Sequence, residues 1–332
     1  MKTIKFGMYY AFTILVIFLF TGSSWAQLKG HHLLGDYGLN AGSQPPPGFS
    51  AFAVGYNYRA SELKNDDGNV VLTIPEISAA FVGGGVGVVT NLKILNANYG
   101  ASILGAFMSD RIEGNLAEKE IPMAFTDLYI QPIQLGWHCK KADFLVGYAV
   151  YIPTGEYQLG GGSNNGLGMW TNEVSAGATY FFDEKKMWSI SSIFFYEIHT
   201  DKKNSELRVG NIFNAEGGIG KAFYHKIKST PVPMIFHVGG IYYGQFKVTN
   251  DDIPIGPRVF TGKRDRIWAG GLEGMIFHPK LRTSIDFRWL HEFGARNRFE
   301  GDSYLLTIGY LIRSYEKHAA PAPAASETAP AE

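Results

Sequence analysis

The sequence predicts an all-β protein, an antiparallel transmembrane β-barrel of about twelve strands, within a range of about ten to fourteen. Three observations predict it. Successive runs alternate in polarity with a period of two, which marks extended strands with one apolar face. The connections between those runs are tight and long by turns. The chain opens on an export-type segment, yet no later apolar run approaches the roughly 20 residues that a spanning helix needs.

The alternation is clearest near the end of the chain. Leu281, Thr283, Ile285, Phe287, Trp289, His291 and Phe293 share one parity, and Arg282, Ser284, Asp286, Arg288, Leu290 and Glu292 share the other. After a short loop, Tyr304, Leu306, Ile308, Tyr310 and Ile312 continue the apolar parity. An arginine facing lipid near the midplane costs roughly 2–4 kcal/mol, so the charged parity is assigned to the lumen. With Glu273 from the preceding strand, this gives five candidate lumen-lining residues on a substrate path: Glu273, Arg282, Asp286, Arg288 and Glu292. Two roles are open to them, pairing across strands and contact with a passing solute.

At the other end, Lys2 and Lys5 precede a nearly unbroken apolar run from Tyr9 to Phe20, and Ser24-Trp25-Ala26 supplies small residues where a signal peptidase cuts. Residues 1–26 are therefore expected to be a cleaved signal peptide. Residues 27–48, rich in Gly and Pro and without a period, form a lead-in that either stays flexible or tucks into the lumen. Its adjacent His31 and His32 would point apart on an extended chain, and no third ligand is spaced for a metal. The barrel is expected over 49–315, followed by an Ala/Pro-rich tail over 316–332 that cannot bury a core.

Composition narrows the function classes. Thirty basic and thirty acidic residues leave no net charge, which argues against a nucleic-acid partner. Aromatic residues at 14% and 40 glycines suit many tightly turning strands. Cys139 is the single cysteine, so no internal disulfide can form.

Taken in order, the first strand is 49–59, with Phe52, Val54, Tyr56 and Tyr58 expected outward and Ala53, Gly55 and Asn57 inward. Asn65-Asp66-Asp67-Gly68 is a turn. Residues 70–90 hold at least one strand, interrupted by Pro75 and a glycine run, and leave room for a plug. A third strand covers 95–108. The fourth, 126–138, switches phase at Pro132, which cannot donate to a ladder and so marks a bulge or edge. Strands five to seven place Phe144, Val146, Val174, Tyr180, Trp188 and Phe194 among the apolar parity. Strands eight to ten, over 212–223, 234–246 and 266–277, are glycine-rich and alternate more loosely.

Tight links at Lys140-Lys141, at 183–185 and at Pro279-Lys280 fall between longer ones at 109–123, 153–170, 200–211 and 247–261. Short turns on one side and long loops on the other is the pattern of an outer-membrane barrel. An even strand number then puts both ends of the chain on the short-turn, periplasmic side.

Motifs for chemistry are sparse. Gly256–Lys263 echoes a phosphate loop but has the wrong spacing and ends before Arg264 rather than Ser or Thr. Gly217–Lys221 (GGIGK) lies within a strand and opens no helix. Ser191 and His199 share a parity but stand too far apart for a nucleophile and its base. Neither a catalytic set, a cofactor site nor a metal site is expected, and the chain is read as a non-enzyme.

A wider resemblance rests on GLNAGSQPPPGF (38–49), DLYIQPIQLGWH (127–138), DFLVGYAVYIPTGEY (143–157), YYGQFKVTNDD (242–252) with IGPRV (255–259), and FRWLHEFGARNRFEG (287–301). The chain resembles the outer-membrane family linked to meta-pathway phenol degradation. That resemblance implies passive passage of small hydrophobic or aromatic molecules through a barrel in the bacterial outer membrane. Its other partners would be outer-membrane lipid and the barrel-assembly machinery. The family supplies no catalytic residues. The alternatives are a structural or surface-interaction barrel with a closed lumen and, less favoured, an outer-membrane lipid-modifying enzyme.

Overall fold

The structure is a computed structural model that describes residues 29–114, 118–161, 163–227, 230, 232–252 and 264–315. The expected signal peptide, the Ala/Pro tail and the 256–263 stretch lie outside the described residues.

Thirteen strand segments make one antiparallel sheet. In chain order they are β1 (Gly48–Lys64), β2 (Val70–Ile94), β3 (Ala97–Glu113), β4 (Glu118–Phe125), β5 (Leu128–His138), β6 (Ala142–Ile152) and β7 (Thr171–Phe181). They continue with β8 (Trp188–His199), β9 (Ile212–His225), β10 (Met234–Lys247), β11 (Arg266–His278), β12 (Thr283–Arg296) and β13 (Phe299–Ser314). Consecutive strands pair, and β1 pairs with both β2 and β13, which closes the ring. β4 and β5 are two halves of one strand. The far half of β3 pairs with β4 and its near half with β5, and the break falls at Thr126 and Asp127. The closed barrel therefore has twelve strands, as the alternation predicts.

The outward face carries the large apolar side chains of the strands read with most regularity. Phe144, Val146, Val174, Tyr180, Trp188, Ile190, Phe194, Ile285 and Phe287 are all exposed on the barrel surface. Exposed apolar groups over a whole sheet face are stable only against lipid or a partner. Tight turns have identifiable chemistry. Leu95 and Asn96 join β2 to β3 with φ of 50° and 65°, the paired positive values that a two-residue hairpin needs. In the β7–β8 turn, the Asp183 carboxylate accepts the N–H groups of Trp188, Met187 and Lys185, which holds its pKa below the usual carboxylate range.

Four details differ from the sequence reading or sharpen it. Residues 70–94 form one long strand, with no plug. The glycine run stays in register with β3, and Pro75 sits where the β1–β2 register jumps from Ala60↔Ile77 to Glu62↔Thr73. The link expected over 109–123 is mostly strand, the far half of β3 and β4. At Pro132 the β5–β6 register skips from Ile130 to Ile133, the expected bulge. Loop lengths segregate by rim only in part: the longest links, 153–170, 200–211 and 248–265, share one rim, but 226–233 is long on the short-turn rim, and 114–117 and Asn297-Arg298 are short on the other.

The parity of β1 is inverted relative to expectation. Val54 is buried, Tyr56 packs on a core cluster, and the Tyr58 hydroxyl donates to Glu292, so this parity faces inward. Alternation sorts residues onto two faces but not which face meets lipid, and here the inner face is apolar too. The reason is that the barrel is partly filled. Leu34 and Leu39 of the lead-in pack against Ile241, Tyr243, Ile267, Leu290 and Leu305 of the wall. Ala41 packs with Leu145, Ile193 and Phe195, with Tyr37 against them. The hydrophobic core is the barrel interior.

Candidate functional site in the barrel lumen

Residues 31–44 run through the lumen without strand structure, so their backbone donors must find partners elsewhere. Wall carboxylates supply them. Glu197 on β8 accepts the N–H of His31 at 2.7 Å and of His32 at 3.3 Å. Glu216 on β9 accepts those of Gly35 and Tyr37, both at 2.8 Å, one on each oxygen. Glu273 on β11 accepts that of Leu39 at 2.8 Å. Hydrogen bonds to an ionised acceptor are roughly twice as strong as neutral ones, so this row grips the segment firmly.

The two histidines do point apart. The His32 ring lies between Glu173 at 2.9 Å and Glu216 at 3.1 Å, one carboxylate on each nitrogen. Only the imidazolium donates from both nitrogens, so this geometry calls for the charged form. The His31 Nε2 meets Asp127 at 2.8 Å, and its Nδ1 meets the Thr171 hydroxyl at 2.7 Å, which in turn contacts His199 Nδ1 at 2.8 Å. Carboxylate, imidazole and hydroxyl in that order echo a hydrolytic relay. Thr171 is fully buried, however, and no substrate could reach its oxygen.

Asp127 occupies the break between β4 and β5, and it also caps the long 153–170 loop. Its carboxylate accepts the N–H of Gly155 at 2.9 Å and of Leu167 at 2.7 Å. That loop meets the 200–211 loop over the long-loop rim. The Lys202 ammonium donates to Leu167 O at 2.7 Å and sits over the Tyr157 ring. Burial lowers the Lys202 pKa to about 7, against which Asp127 and Asp251 pull upward.

Of the five expected lumen residues, four face inward. Arg288 pairs with Glu273 and Asp286, each at 3.1 Å, and donates to the carbonyls of Gly35 and Asp36. Glu292 accepts the hydroxyls of Tyr58 and Tyr243 at 2.7 Å each. Arg282 is the exception. It lies in the β11–β12 turn with φ of 54°, exposed, its guanidinium on Ile312 O. The strand starts two residues later than the alternation suggests, because the hairpin turn takes up Leu281 and Arg282.

Sequence reasoning missed Glu173, Glu197 and Glu216. Each is a lone carboxylate on the inward parity of a strand whose other parity is apolar, and that isolation is the signal that could have found them. Close packing also fixes the segment. Gly42 lies against the backbone of Ala178, and an added Cβ there would overlap it. Gly42→Ala is expected to lift this end of the segment off the wall. Limited proteolysis of refolded protein should then cut within residues 29–44, where the parent chain is protected.

The fourteen or so residues on the carboxylate wall do not fill the barrel. A cavity of about 630 Å³ lies on their other side, against β1, β2, β3 and β5. Its wall is mixed: Phe52, Val54, Phe81, Leu104, Met108 and Tyr129 give it a large apolar and aromatic surface, and Asp110, Gln131, Gln134, Gln245, Glu292 and Arg298 add polar groups. It reaches from Gly48 at the short-turn rim to Tyr58, about 30 Å of strand at 3.3 Å per residue. The lumen is thus shared lengthwise between the docked segment and a cavity whose side along β1, β2 and β3 is mainly apolar.

Fold and lumen together define a transmembrane β-barrel of outer-membrane type with an internally bound N-terminal segment. The chain matches the family described as "Putative MetA-pathway of phenol degradation" over residues 60–308, and it belongs to that family. Among solved structures it is similar to the COG4313 outer membrane channel from Pseudomonas putida F1, at 14% identity and a TM-score of 0.65, covering 84% of this chain and 99% of that one. Weaker likenesses include the β domain of the Bordetella autotransporter BrkA, at 11% identity and a TM-score of 0.45 over 79% of this chain and 99% of that one. Another is the TodX monoaromatic hydrocarbon channel, a ΔS2S3 mutant, at 9% identity and 0.31 over 80% and 90%. A search of curated proteins found no match.

Proposed function

We propose that this protein is a passive outer-membrane channel for small hydrophobic or aromatic compounds. The cavity that runs along β1, β2, β3 and β5, with its large apolar and aromatic surface, carries the reading. Glu197, Glu216 and Glu273 are engaged with residues 31–39, and the polar groups that do reach the cavity, Asp110, Gln131, Gln134 and Arg298 among them, are interspersed with a larger apolar and aromatic surface. An apolar solute that keeps to the apolar side of this lining leaves the polar groups opposite it solvated or paired. The family's description in terms of phenol degradation supports the solute class. Glu273, Asp286, Arg288 and Glu292 serve the path indirectly, by holding the segment and the aromatic hydroxyls beside it.

In this reading residues 1–26 are a cleaved signal peptide, residues 27–48 are a lumen plug, and the 316–332 tail is an inert extension. The short-turn rim faces the periplasm, so solute descends from the rim covered by the 153–170 and 200–211 loops. The barrel acts as a channel rather than an enzyme, with outer-membrane lipid around it and the assembly machinery as its folding partner.

The test is uptake of radiolabelled toluene or phenol by cells with and without the gene, together with a cavity-filling variant. Leu104→Trp projects bulk into the cavity from β3, and it is expected to cut uptake several-fold while the barrel assembles normally. Unchanged uptake in both the deletion strain and this variant would favour a closed structural barrel.

A further inference from the structure

The wall behind residues 31–39 has an unbalanced charge. Glu173, Glu197, Glu216 and Glu273 face the lumen from β7, β8, β9 and β11, and all four are buried. None of these four strands places a lysine or arginine on its inward parity. Arg288 on β12 pairs with Glu273 and Asp286 and acts on Glu216 only at longer range, so among the described residues none of Glu173, Glu197 and Glu216 forms a direct ion pair with a lysine or arginine of the wall. Their compensation comes from the segment itself. It supplies the His32 ring for Glu173 and Glu216 and backbone N–H groups for Glu197 and Glu216. Asn214 adds one neutral donor to Glu197 at 2.9 Å.

We propose that the lumen, once this segment leaves it, is a cation-selective pore, a conductance separate from the passage of apolar solutes. The inference rests on the reading of residues 27–48 as a plug. Carboxylates stripped of their donors in a narrow channel with low-dielectric walls must recruit counter-ions, and their focused field raises cation and lowers anion concentration. The selective element is the Glu173–Glu197–Glu216 row, three neighbouring strands deep in the barrel. In the docked state those same groups are masked by His32 and the backbone, so the intact protein lacks this field. The segment therefore works as a built-in counter-ion as well as an obstruction.

The experiment uses planar lipid bilayers under a steep KCl gradient, comparing the full chain with a variant lacking residues 29–44. The variant is expected to conduct several-fold more and to reverse at a potential of the sign set by potassium. Adding Glu173→Gln, Glu197→Gln and Glu216→Gln to the variant should keep the high conductance and bring the potassium-to-chloride permeability ratio close to unity. A deletion pore that prefers chloride, shows no preference, or keeps its preference after the triple substitution overturns the inference. Conductance that does not rise on deletion overturns the plug reading and the inference with it. Should the deletion fail to assemble, full-length protein with His31→Ala and His32→Ala gives the same decision, because its openings must be cation-selective and lose that selectivity with the triple substitution.

Discussion

A chain carrying Phe287→Arg is expected to fail at membrane assembly. Phe287 lies midway along β12, is 51% exposed, and faces outward between Gly274 of β11 and Leu306 of β13. In this setting its exposure is to lipid. An arginine near the midplane of the lipid face costs roughly 2–4 kcal/mol, and the lost aromatic surface adds to it. The guanidinium cannot turn inward, since the pleat fixes the side of each residue and Arg288 already fills the inner position. Heat-modifiable migration on gels after refolding in lipid vesicles reads the result directly. Phe287→Arg should run almost wholly as the unfolded band where the parent runs as the folded one. A normal folded yield would mean that the lipid-facing parity has been assigned to the wrong side.

The neighbouring substitution should act on the lumen and spare the barrel. Arg288 is 9% exposed and bridges two wall carboxylates, Glu273 and Asp286, to two carbonyls of the segment, Gly35 and Asp36. Removing one member of a buried ion pair typically costs about 3–5 kcal/mol, because the remaining charges are left buried and unpaired. The cost here falls on the docked segment, which can relieve it by leaving, whereas the strand ladder of β11, β12 and β13 is untouched. Arg288→Ala is therefore expected to fold with normal yield, to raise single-channel conductance, and to expose residues 29–44 to protease. Arg288→Lys keeps a charge but lacks the planar fork, so it should fall between the two. Wild-type conductance together with full protection in Arg288→Ala would show that the arginine does not hold the segment.

The barrel itself was readable because its determinant is local. A period of two needs only neighbours in sequence, and on β6, β7, β8, β12 and β13 it gave both the strands and the lipid-facing parity. On β1 it gave the strand and the wrong side. Val54, Tyr56 and Tyr58 are as apolar as any lipid-facing set, and only the packed interior tells them apart. Pro132 was interpretable because a missing N–H has a single structural meaning, whereas Thr126 and Asp127 look like ordinary strand residues until the 153–170 loop and His31 converge on them. The site was readable in part. The charges of Asp286, Arg288 and Glu292 alternate and so drew attention, and Arg282 was swept in with them because alternation does not see a turn. Glu173, Glu197 and Glu216 interact with nothing near them in sequence. Their partners are the His32 ring and the backbone of a segment with no period, which lies more than a hundred residues upstream.

That separation has a consequence for the order of events in biogenesis. His31, Gly35 and Leu39 leave the ribosome before any of the strands, yet the acceptors of their N–H groups sit on β8, β9 and β11. The loops to be closed run from 166 residues for His31–Glu197 to 234 for Leu39–Glu273. Closure of such spans is entropically disfavoured until a folded scaffold holds the far end in place. Neighbouring strands, by contrast, close across links of at most 18 residues. A segment made before the strands is thus expected to find its place after them, once β1 has met β13 and the cylinder is complete. Until that moment it is an extended, Gly- and Pro-rich polymer on the side of the membrane where folding begins, available to chaperones and proteases alike. Its burial is the step that turns an assembled barrel into a finished one.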